Sequence, residues 1–427
     1  MTHDDLTVAT LGPARRASPL RVRRYTPDAA RVVVDVDFVE GQAPPSGPAL
    51  AFEKAGPRER VYFDAGASTA AIVTCGGLCP GLNNVIRHLY YTLRDGYGVS
   101  RVLGARHGYA GLTPEGAAPL ELSGEWVEAI HHSGGTMLGT SRGPQDPAVM
   151  VDFLLARGVN MLFPIGGDGT QRGAHAIAAE ARRRGADLAV VGIPKTIDND
   201  IRFCFQTFGF ISAVAEAERV IDRAHVEAKS VERGVGLVKL MGRESGFIAA
   251  AATIASGEVN FCLVPEEPLN LEGGDGFLAR LERRLDARSH AVIVVAEGSG
   301  QALIPGRDAD GRDRSGNLKL GDIGAFLKQQ IDEHFDRLGK PVGMKYFDPS
   351  YYIRSVAANA ADSLLTERFA RHAAHAAMAG KTDIFVGNWN GRIVHVPLVV
   401  SVGHPRRLEP DSELWAAVLA ITGQERW

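Results

Sequence analysis

Cysteine is scarce in this sequence of 427 residues, which contains only Cys75, Cys79, Cys204 and Cys262. Cys75 and Cys79 stand four residues apart in a glycine-rich stretch, and no second pair of this kind follows. Neither a zinc site nor a disulfide framework is therefore expected. Such sparing use of cysteine points to a reducing compartment.

Long apolar runs are missing as well, and no stretch approaches the ~20 residues that a membrane-spanning helix requires. The sequence opens with "MTHDD", which places acidic residues where a signal peptide would carry basic ones. Together with the scarcity of cysteine, these features predict a cytoplasmic protein.

An excess of charge of one sign is also lacking, since 47 basic residues face 50 acidic ones and the formal net charge is -3. No global basic field would recruit nucleic acid or an anionic membrane surface. Hydrophobic residues make up 45% of the chain and charged residues 23%, which is typical of a globular protein with a substantial core. At ~150 residues per domain, the length predicts two to three domains.

Two common nucleotide-binding signatures are absent. The sequence contains no GxxxxGK[ST] loop, and no GxGxxG follows a predicted strand. These absences exclude the Walker-type NTPases and the dinucleotide-binding class that carries the glycine fingerprint.

Short apolar runs alternate with longer helical patterns from residue 70 onward. The runs predicted as strands are "AAIVTC", "RVLGA", "NMLFPI", "LAVVGIP", "GVGLVKLMG", "VNFCLVP" and "HAVIVVAEG". This alternation predicts βαβ units and an α/β fold with parallel sheets buried between helices. Residues 1–65 show no sustained periodicity, and they are interpreted as an N-terminal extension with one short strand, "RVVVDVDFV", and a breaker cluster, "GQAPPSGPA".

Most of the apolar runs end at turns rich in glycine or proline, which is where doubly wound sheets bind ligands. "TCGGLCPGLNN" (74–84) reads as a strand end followed by a helix start near Pro80, where free backbone N–H groups hold anions. A plain strand-to-helix turn explains this segment equally well.

"GGDGT" (166–170) combines glycines with one carboxylate. Asp168 can hold Mg²⁺ that bridges phosphate oxygens, because this ion prefers oxygen ligands and retains several waters. Gly169 leaves room beside the carboxylate, and Thr170 offers a hydroxyl. NAD kinases and lipid kinases carry a similar stretch, so the segment alone leaves the class of kinase open.

"PKTIDND" (194–200) favours a sugar kinase. If this segment is extended, the side chains of Asp198 and Asp200 point to the same side, together with Thr196. One carboxylate can then act as general base on a substrate hydroxyl while the other supports it. Lys195 is expected to add a mobile positive charge, and a solvated acidic loop is the alternative interpretation.

Seven stretches occur in an order and spacing that resemble the phosphofructokinase family over roughly residues 70–400. They are "GGLCPGLNN", "GTSRG", "GGDGT", "GIPKTIDND", "VKLMGRESGF", "VVAEGSGQ" and "DPSYYIR". The chain looks most like the ATP-dependent branch of plants and trypanosomatids. The resemblance implies transfer of a phosphoryl group to the 1-hydroxyl of fructose 6-phosphate, in a cleft between two Rossmann-like domains, and a dimer or tetramer.

The resemblance also implies a role for each matching position. The nucleotide phosphates would contact Gly77, Arg142, Gly143, Gly167, Asp168, Gly169 and Thr170, with Mg²⁺ on Asp168. The catalytic residues would be Asp198 as general base, with Lys195 and Thr196. Sugar-phosphate contacts would come from Thr196, Ile197, Asp198, Met241, Gly242, Arg243, Glu297, Lys345, Tyr351, Tyr352, Ile353 and Arg354. Arg243 and Arg354 suit this role because a guanidinium group binds phosphate in a bidentate fork.

The same resemblance implies how the chain is divided. Residues 66–209, returning at about 354–400, would bind the nucleotide phosphates, and residues 210–353 would bind the sugar phosphate. Residues 401–427 would form a C-terminal segment. One departure from the family pattern is Gly234, where bacterial ATP-dependent members present an arginine to a neighbouring subunit; Arg233 is adjacent.

The phosphoryl donor is predicted from the residue after Asp168. Pyrophosphate-dependent relatives carry a second aspartate there, which would occupy the space of the α-phosphate of ATP and repel it, whereas this chain has Gly169. Lys195 favours pyrophosphate, but the plant-like ATP branch combines this glycine with this lysine. ATP is therefore the predicted donor, pyrophosphate is the alternative, and a non-catalytic nucleotide sensor is a further one.

Overall fold

The computed structural model describes residues 1–37, 49–306, 308, 311–312 and 318–426. These residues form two compact units. Unit 1 contains Met1–Thr196, Ile201–Gly209 and Val356–Pro405, and unit 2 contains Ile197–Asp200, Phe210–Ser355 and Arg406–Trp427. The end of the predicted strand "RVVVDVDFV" and nearly all of "GQAPPSGPA" lie outside the described residues.

The strands, in chain order, are β1 (Ala9–Thr10), β2 (Arg16–Ala17), β3 (Arg31–Val33), β4 (Ala51–Lys54), β5 (Arg60–Val61), β6 (Thr69–Thr74), β7 (Arg101–Ala105), β8 (Leu120–Glu121), β9 (Val159–Gly166), β10 (Ala189–Pro194), β11 (Gly234–Leu240), β12 (Phe261–Leu263), β13 (His290–Ala296), β14 (Gly343–Phe347), β15 (Lys381–Thr382), β16 (Ile384–Trp389) and β17 (Arg392–Pro397). The helices are α1 (Leu82–Tyr91), α2 (Gly124–Val127), α3 (Pro147–Leu155), α4 (Asp168–Arg183), α5 (Phe210–Lys229), α6 (Phe247–Ser256), α7 (Phe277–Arg288), α8 (Ile323–Arg337), α9 (Ala360–Met378), α10 (Leu398–Ser401) and α11 (Glu413–Thr422).

Unit 1 is built on a nine-stranded sheet in the order β3-β4-β17-β16-β10-β9-β6-β7-β8. The five strands β16, β10, β9, β6 and β7 run parallel, and antiparallel strands extend both edges. Every residue of β6 and of β10 is buried. These strands therefore read as continuous apolar runs in the sequence, as expected for strands covered on both faces.

The N-terminal extension adds strands to unit 1. β3 pairs with β4, and β4 pairs with β17, so the extension lengthens the nine-stranded sheet by two strands. A buried cluster of charges anchors β4: the carboxylate of Glu53 lies 2.8 Å from the guanidinium of Arg58, 3.0 Å from Nδ1 of His395 and 3.2 Å from the amine of Lys381. Burial raises the pKa of Glu53, but hydrogen bonding to His395 and the nearby cations outweigh it and hold the pKa well below its usual value.

Unit 2 contains a fully parallel four-stranded sheet in the order β12-β13-β11-β14. Apolar side chains of α7 and α8 pack on its strands, among them Phe277, Leu281, Leu327 and Phe335. Asp322 begins α8, since its carboxylate accepts hydrogen bonds from the backbone N–H groups of the first turn. This core fixes the carboxyl ends of the strands at one edge of the sheet.

The predicted α/β class is confirmed, and each predicted apolar run contains a strand. Among the antiparallel additions to the first sheet, β3 falls within the predicted strand "RVVVDVDFV", whereas β4, β8 and β17 were not predicted, and neither was β14. β14 was missed because its sequence, "GMKYF", shows neither strict alternation nor a continuous apolar run. No helix in the described part of the chain is both long and apolar enough to cross a membrane.

Candidate active site

The predicted phosphate-binding glycines follow neighbouring strands of unit 1. β6 ends at Thr74 and is followed by Gly77, and β9 ends at Gly166 and is followed by Gly167. From β6 the chain first adds β7 on one side and later β9 on the other. The border between β6 and β9 is therefore a topological switch point, where open α/β sheets bind ligands beyond the carboxyl ends of their strands.

Helix α4 begins at Asp168, so its free backbone N–H groups lie at this switch point. Thr170 is buried, and its carbonyl accepts a hydrogen bond of 2.7 Å from the hydroxyl of Tyr109, which fixes the first turn. Gly169 is exposed, and the nearest atom to an added Cβ would be Nη2 of Arg172, at 3.8 Å. The space beside the carboxylate is therefore open, as the donor argument requires.

Both oxygens of the Asp168 carboxylate have partners within unit 1. Nη1 of Arg172 lies 2.7 Å from Oδ2, and the backbone N–H of Gly403 donates to Oδ1 at 3.0 Å. Sequence reasoning missed both partners. The contact with Arg172 could have been predicted, because residues four apart on a helix lie on the same face. The contact with Gly403 could not, because this residue is far away in the sequence and reaches Asp168 only through the tertiary fold.

Asp168 fits a magnesium ion held jointly with phosphate. Its side chain is 35% exposed, and Mg²⁺ typically binds one or two carboxylates together with substrate phosphates and waters. The described residues contain no group of three or more histidine, cysteine or acidic side chains that could hold a metal ion. A shared site of this kind does not need such a group, because the substrate supplies the remaining ligands.

Lys195 is buried rather than mobile, which corrects the expectation from the sequence. Its amine donates a hydrogen bond of 2.6 Å to the carbonyl of Gly77, and its backbone N–H donates to the carbonyl of Gly166 at 3.0 Å. Lys195 directly follows β10, and its side chain reaches the glycine-rich turn that contains Gly77. Lys195 thus ties together the two segments that flank the switch point.

The "GTSRG" segment is attached to the same turn. The hydroxyl of Thr140 donates to the carbonyl of Gly76 at 2.7 Å, and the N–H of Gly76 donates to the carbonyl of Ser141 at 3.1 Å. Arg142 is exposed, and Gly143 has a φ of 101°. The arginine therefore stands at the surface of unit 1 next to the predicted phosphate-binding turn.

The acidic segment "IDND" (197–200) belongs to unit 2 and is bent. Asn199 has a φ of 55°, a left-handed conformation that asparagine tolerates better than most residues. The condition of an extended segment, on which the placement of Asp198 and Asp200 on one side depended, is therefore not met, because side chains alternate regularly only in a strand. Two hydrogen bonds to backbone carbonyls fix the bend: Ser245 Oγ donates to the carbonyl of Asp198 at 3.1 Å, and the backbone N–H of Arg406 donates to the carbonyl of Asp200 at 2.7 Å.

The predicted sugar-phosphate residues follow strands β11 and β13 of unit 2. The N–H of Glu297 donates to the carbonyl of Leu240 at 2.9 Å, and the N–H of Gly298 donates to that of Gly242 at 3.0 Å. These bonds continue the β11–β13 register beyond the strand ends, so Met241 and Glu297 lie next to each other. Sequence spacing could not show this, because the two motifs are far apart in the chain.

The Glu297 carboxyl lies in an electropositive environment. Burial, helped by the negative charge of Asp348, raises its pKa above the usual value and outweighs the opposing influence of Arg243, Lys239 and Arg354. The guanidinium of Arg243 hydrogen bonds to the backbone carbonyl of Leu318. A group of this kind, partly desolvated and close to cations, suits hydrogen bonding to sugar hydroxyls.

The "YYIR" turn follows β14. Ile353 is fully buried and anchors the turn, whereas Tyr351 and Tyr352 are 78% and 62% exposed. The guanidinium of Arg354 lies 4.6 Å from the centre of the Tyr351 ring, within the range of a cation–π interaction. The two tyrosines and the arginine therefore present a polar and aromatic surface at the carboxyl end of β14.

Lys345 lies within β14, opposite Gly236 of β11, and is exposed. It comes before the end of its strand, whereas the residues of the "YYIR" turn come after it. Its role as a third cation stays a prediction.

The departure at Gly234 has a steric reason. An added Cβ would lie 1.9 Å from the carbonyl oxygen of Ala228, so a side chain at this position would collide with the backbone. Arg233, the adjacent residue, pairs with Asp286 at 2.6 Å at the amino end of β11. The motif predicted to bind the sugar phosphate, residues 241–243, follows the opposite end of that strand.

The order of these segments is matched by a known family. Residues 69–377 match the family described as phosphofructokinase. The chain belongs to the phosphofructokinase family. The predicted resemblance is thereby confirmed.

Several similar proteins cover nearly the whole sequence. One from Amycolatopsis methanolica, named ATP-dependent 6-phosphofructokinase, is 47% identical over 99% of this chain and 95% of its own length. A protein of the same name from Borreliella burgdorferi is 48% identical over 87% of this chain and 85% of its own length. Another, from Trypanosoma cruzi, is 47% identical over 90% of this chain and 79% of its own length.

Solved structures of phosphofructokinases share the fold. A pyrophosphate-dependent phosphofructokinase from Marinobacter aquaeolei superposes with a TM-score of 0.68 at 21% identity, covering 84% of this chain and 92% of that one. The Saccharomyces cerevisiae phosphofructokinase gives a TM-score of 0.64 at 24% identity, covering 78% of this chain and 45% of that one. At such low identity these likenesses support the fold alone.

Proposed function

We propose that the protein is an ATP-dependent 6-phosphofructokinase, which transfers the γ-phosphoryl group of ATP to the 1-hydroxyl of fructose 6-phosphate. The observation that carries the choice of donor is the open position at Gly169, beside a carboxylate at the start of α4. Relatives with this name are 46–48% identical to the chain over most of its length.

Unit 1 supplies the donor side of the proposed reaction. The N-terminus of α4 and the turn around Gly77 offer backbone N–H groups to phosphate oxygens. Lys195 adds a fixed positive charge beneath that turn, and Arg142 adds an exposed one. Because phosphoryl transfer is catalysed mainly by positioning and charge neutralisation, such a cradle supplies much of what the reaction needs.

Unit 2 supplies the acceptor side. Arg243 and Arg354 would bind the 6-phosphate, while Glu297 and residues 241–242 would contact the sugar. Asp198 would accept the proton of the 1-hydroxyl as the oxygen forms its bond to the γ-phosphorus. The bond from that phosphorus to the bridging oxygen then breaks, and ADP leaves with the electron pair.

Asp168 is the residue that would hold Mg²⁺, which supplies charge neutralisation on the donor phosphates when bound. On binding the ion, its carboxylate would give up its contacts with the guanidinium of Arg172 and the backbone N–H of Gly403. The division of labour between units 1 and 2, the cytoplasmic location and a homo-oligomeric state belong to the same proposal.

A spectrophotometric assay of sugar bisphosphate formation tests the proposal. Purified protein is offered ATP or pyrophosphate, each with fructose 6-phosphate, sedoheptulose 7-phosphate or no sugar, with and without Mg²⁺. We expect turnover with ATP, fructose 6-phosphate and Mg²⁺. A preference for pyrophosphate would favour the alternative donor, and binding of ATP without turnover would favour a nucleotide sensor.

A further inference from the structure

One side chain in unit 2 links parts of the proposed sugar-phosphate site that are far apart in the sequence. Lys239 lies at the end of β11, two residues before Met241, and its side chain is only 12% exposed. Its amine lies 2.9 Å from the carboxylate of Asp348 and 3.1 Å from that of Asp322. No family role assigned above falls on these three residues.

Asp348 connects this lysine to the "YYIR" turn. One carboxylate oxygen faces Lys239, and the other accepts hydrogen bonds from both the backbone N–H and the hydroxyl of Ser350. The turn then closes through the N–H groups of Tyr352 and Ile353, which donate to the carbonyl of Pro349 at 2.8 and 3.0 Å. The position of the turn therefore depends on the orientation of Asp348.

Asp322 connects the same lysine to α8. Its carboxylate caps the helix and also accepts a hydrogen bond of 3.1 Å from the hydroxyl of Tyr346 in β14. Burial lowers the pKa of Lys239, but its hydrogen bonds to Asp348, Tyr346 and Asp322 outweigh this effect and raise the pKa. Lys239 is therefore positively charged at neutral pH, and its amine is held by these partners.

The ion pair between Lys239 and Asp348 lies at the carboxyl end of the sheet of unit 2. The chain leaves β11 toward β12 and leaves β13 toward β14, which are opposite directions across the sheet, so the border between the adjacent strands β11 and β13 is the switch point, where such sheets bind ligands. Lys239 lies near the carboxyl end of β11, one of the two strands at this border. Its ion pair with Asp348 connects that strand end to the segment that follows β14.

We propose that Lys239 is a positioning residue for the proposed sugar-phosphate site: through Asp348 it holds the turn of residues 351–354 in the orientation in which Arg354 binds the 6-phosphate. This inference rests on the proposed function, because it assumes that fructose 6-phosphate is the acceptor. Lys239 itself does not contact fructose 6-phosphate and acts only through Asp348.

Lys340 offers a matched control in the same sheet. Its amine also bridges two carboxylates, Glu282 at 2.9 Å and Asp286 at 3.1 Å, but it precedes β14 and therefore lies at the amino end of the sheet. It is more exposed than Lys239, at 41%. Each lysine thus bridges two carboxylates, but the two differ in exposure and in the end of the sheet at which they lie.

The test compares Lys239→Met, Lys239→Arg and Lys340→Met with the parent, using steady-state kinetics, calorimetric binding of fructose 6-phosphate and thermal unfolding. Loss of a charged hydrogen-bond partner typically costs ~1.5–3 kcal/mol, so we expect Lys239→Met to raise the KM and Kd for fructose 6-phosphate roughly 10- to 100-fold. The KM for ATP should stay within about twofold (less than ~0.5 kcal/mol). Lys239→Arg should recover most of the binding, and Lys340→Met should match the parent.

A double variant, Lys239→Met with Asp348→Asn, separates positioning from charge balance. If Lys239 only neutralises Asp348, removing both charges restores the binding of fructose 6-phosphate, and the inference is wrong. If Lys239 holds the turn, the double variant stays defective. Equal effects of Lys239→Met and Lys340→Met, or equal losses of affinity for ATP and sugar, would also overturn it, whereas a parent protein that neither binds nor phosphorylates fructose 6-phosphate would refute the proposed function itself.

Discussion

Gly169→Asp tests the argument about the phosphoryl donor. Residue 169 is the second residue of α4, it is exposed, and an added Cβ would meet no atom closer than the guanidinium of Arg172 at 3.8 Å. The side chain can therefore be accommodated without rearranging the backbone. An acidic residue in the first turn of a helix is also favourable, so the variant should fold normally.

The size of the effect follows from charge. Two like charges ~4 Å apart repel by about 4 kcal/mol at an effective dielectric constant of 20. Arg172 lies close enough to the new carboxylate to offset part of this repulsion. We therefore expect the kcat/KM for ATP to fall by at least about tenfold, which requires only ~1.4 kcal/mol, while pyrophosphate-dependent activity becomes detectable.

Two further substitutions at the same position separate volume from charge. Gly169→Ala adds only the Cβ, which has ordinary contact distance to Arg172, and its ATP activity should stay close to that of the parent. Gly169→Asn has nearly the volume of aspartate without its charge and should lie between the two. Full ATP activity in Gly169→Asp would refute the reasoning, and so would a loss in Gly169→Ala as large as that in Gly169→Asp.

Three other predictions concern the acceptor side and the stability of unit 1. Asp198→Asn should lower kcat by roughly 10² to 10⁴, the usual contribution of a general base, with a much smaller change in the KM for fructose 6-phosphate; a kcat close to that of the parent would contradict the assignment. Arg243→Ala and Arg354→Ala should each raise the KM for fructose 6-phosphate and leave that for ATP nearly unchanged, and the reverse pattern would mean that the two sides are assigned backwards. Glu53→Gln should destabilise the protein by ~1.5–3 kcal/mol at neutral pH, because Arg58 and Lys381 lose a charged hydrogen-bond partner while Arg58 keeps its ion pair with Asp28 at 3.1 Å. Since the folded-state pKa of Glu53 is depressed, its contribution is present above the unfolded pKa of about 4.3 and is lost as the pH falls, so thermal unfolding of the parent should depend more steeply on acid pH than that of the variant.

Local patterns in the sequence were sufficient for the fold class and for the family. Continuous apolar runs predicted β6, β9 and β10 because strands that are buried on both faces need no polar alternation. The "GGDGT" segment was predicted as a glycine-rich turn after an apolar run, and Asp168 does lie directly after β9, as the first residue of α4. Such features are encoded in neighbouring residues and need no knowledge of distant contacts.

Other features depended on tertiary structure. The sequence shows Lys195 as a charge in a turn, but its burial and its bond to Gly77 follow from the packing of two strand ends. The bend at Asn199 removes the extended conformation on which the alignment of Asp198 with Asp200 depended. The collision that keeps a side chain away from position 234 comes from a backbone carbonyl at the end of a packed helix.

The contacts of Lys239 show most clearly what could not be predicted from the sequence. A single charge inside the run "GVGLVKLMG" was a visible anomaly, but its partners Asp322 and Asp348 belong to other motifs. Only the strand order, with β14 placed beside β11 rather than beside β13, brings them together. Periodicity determines whether a segment is a strand or a helix, whereas the neighbours of a strand are decided by long-range packing, and the proposed sugar-phosphate site is made of such neighbours.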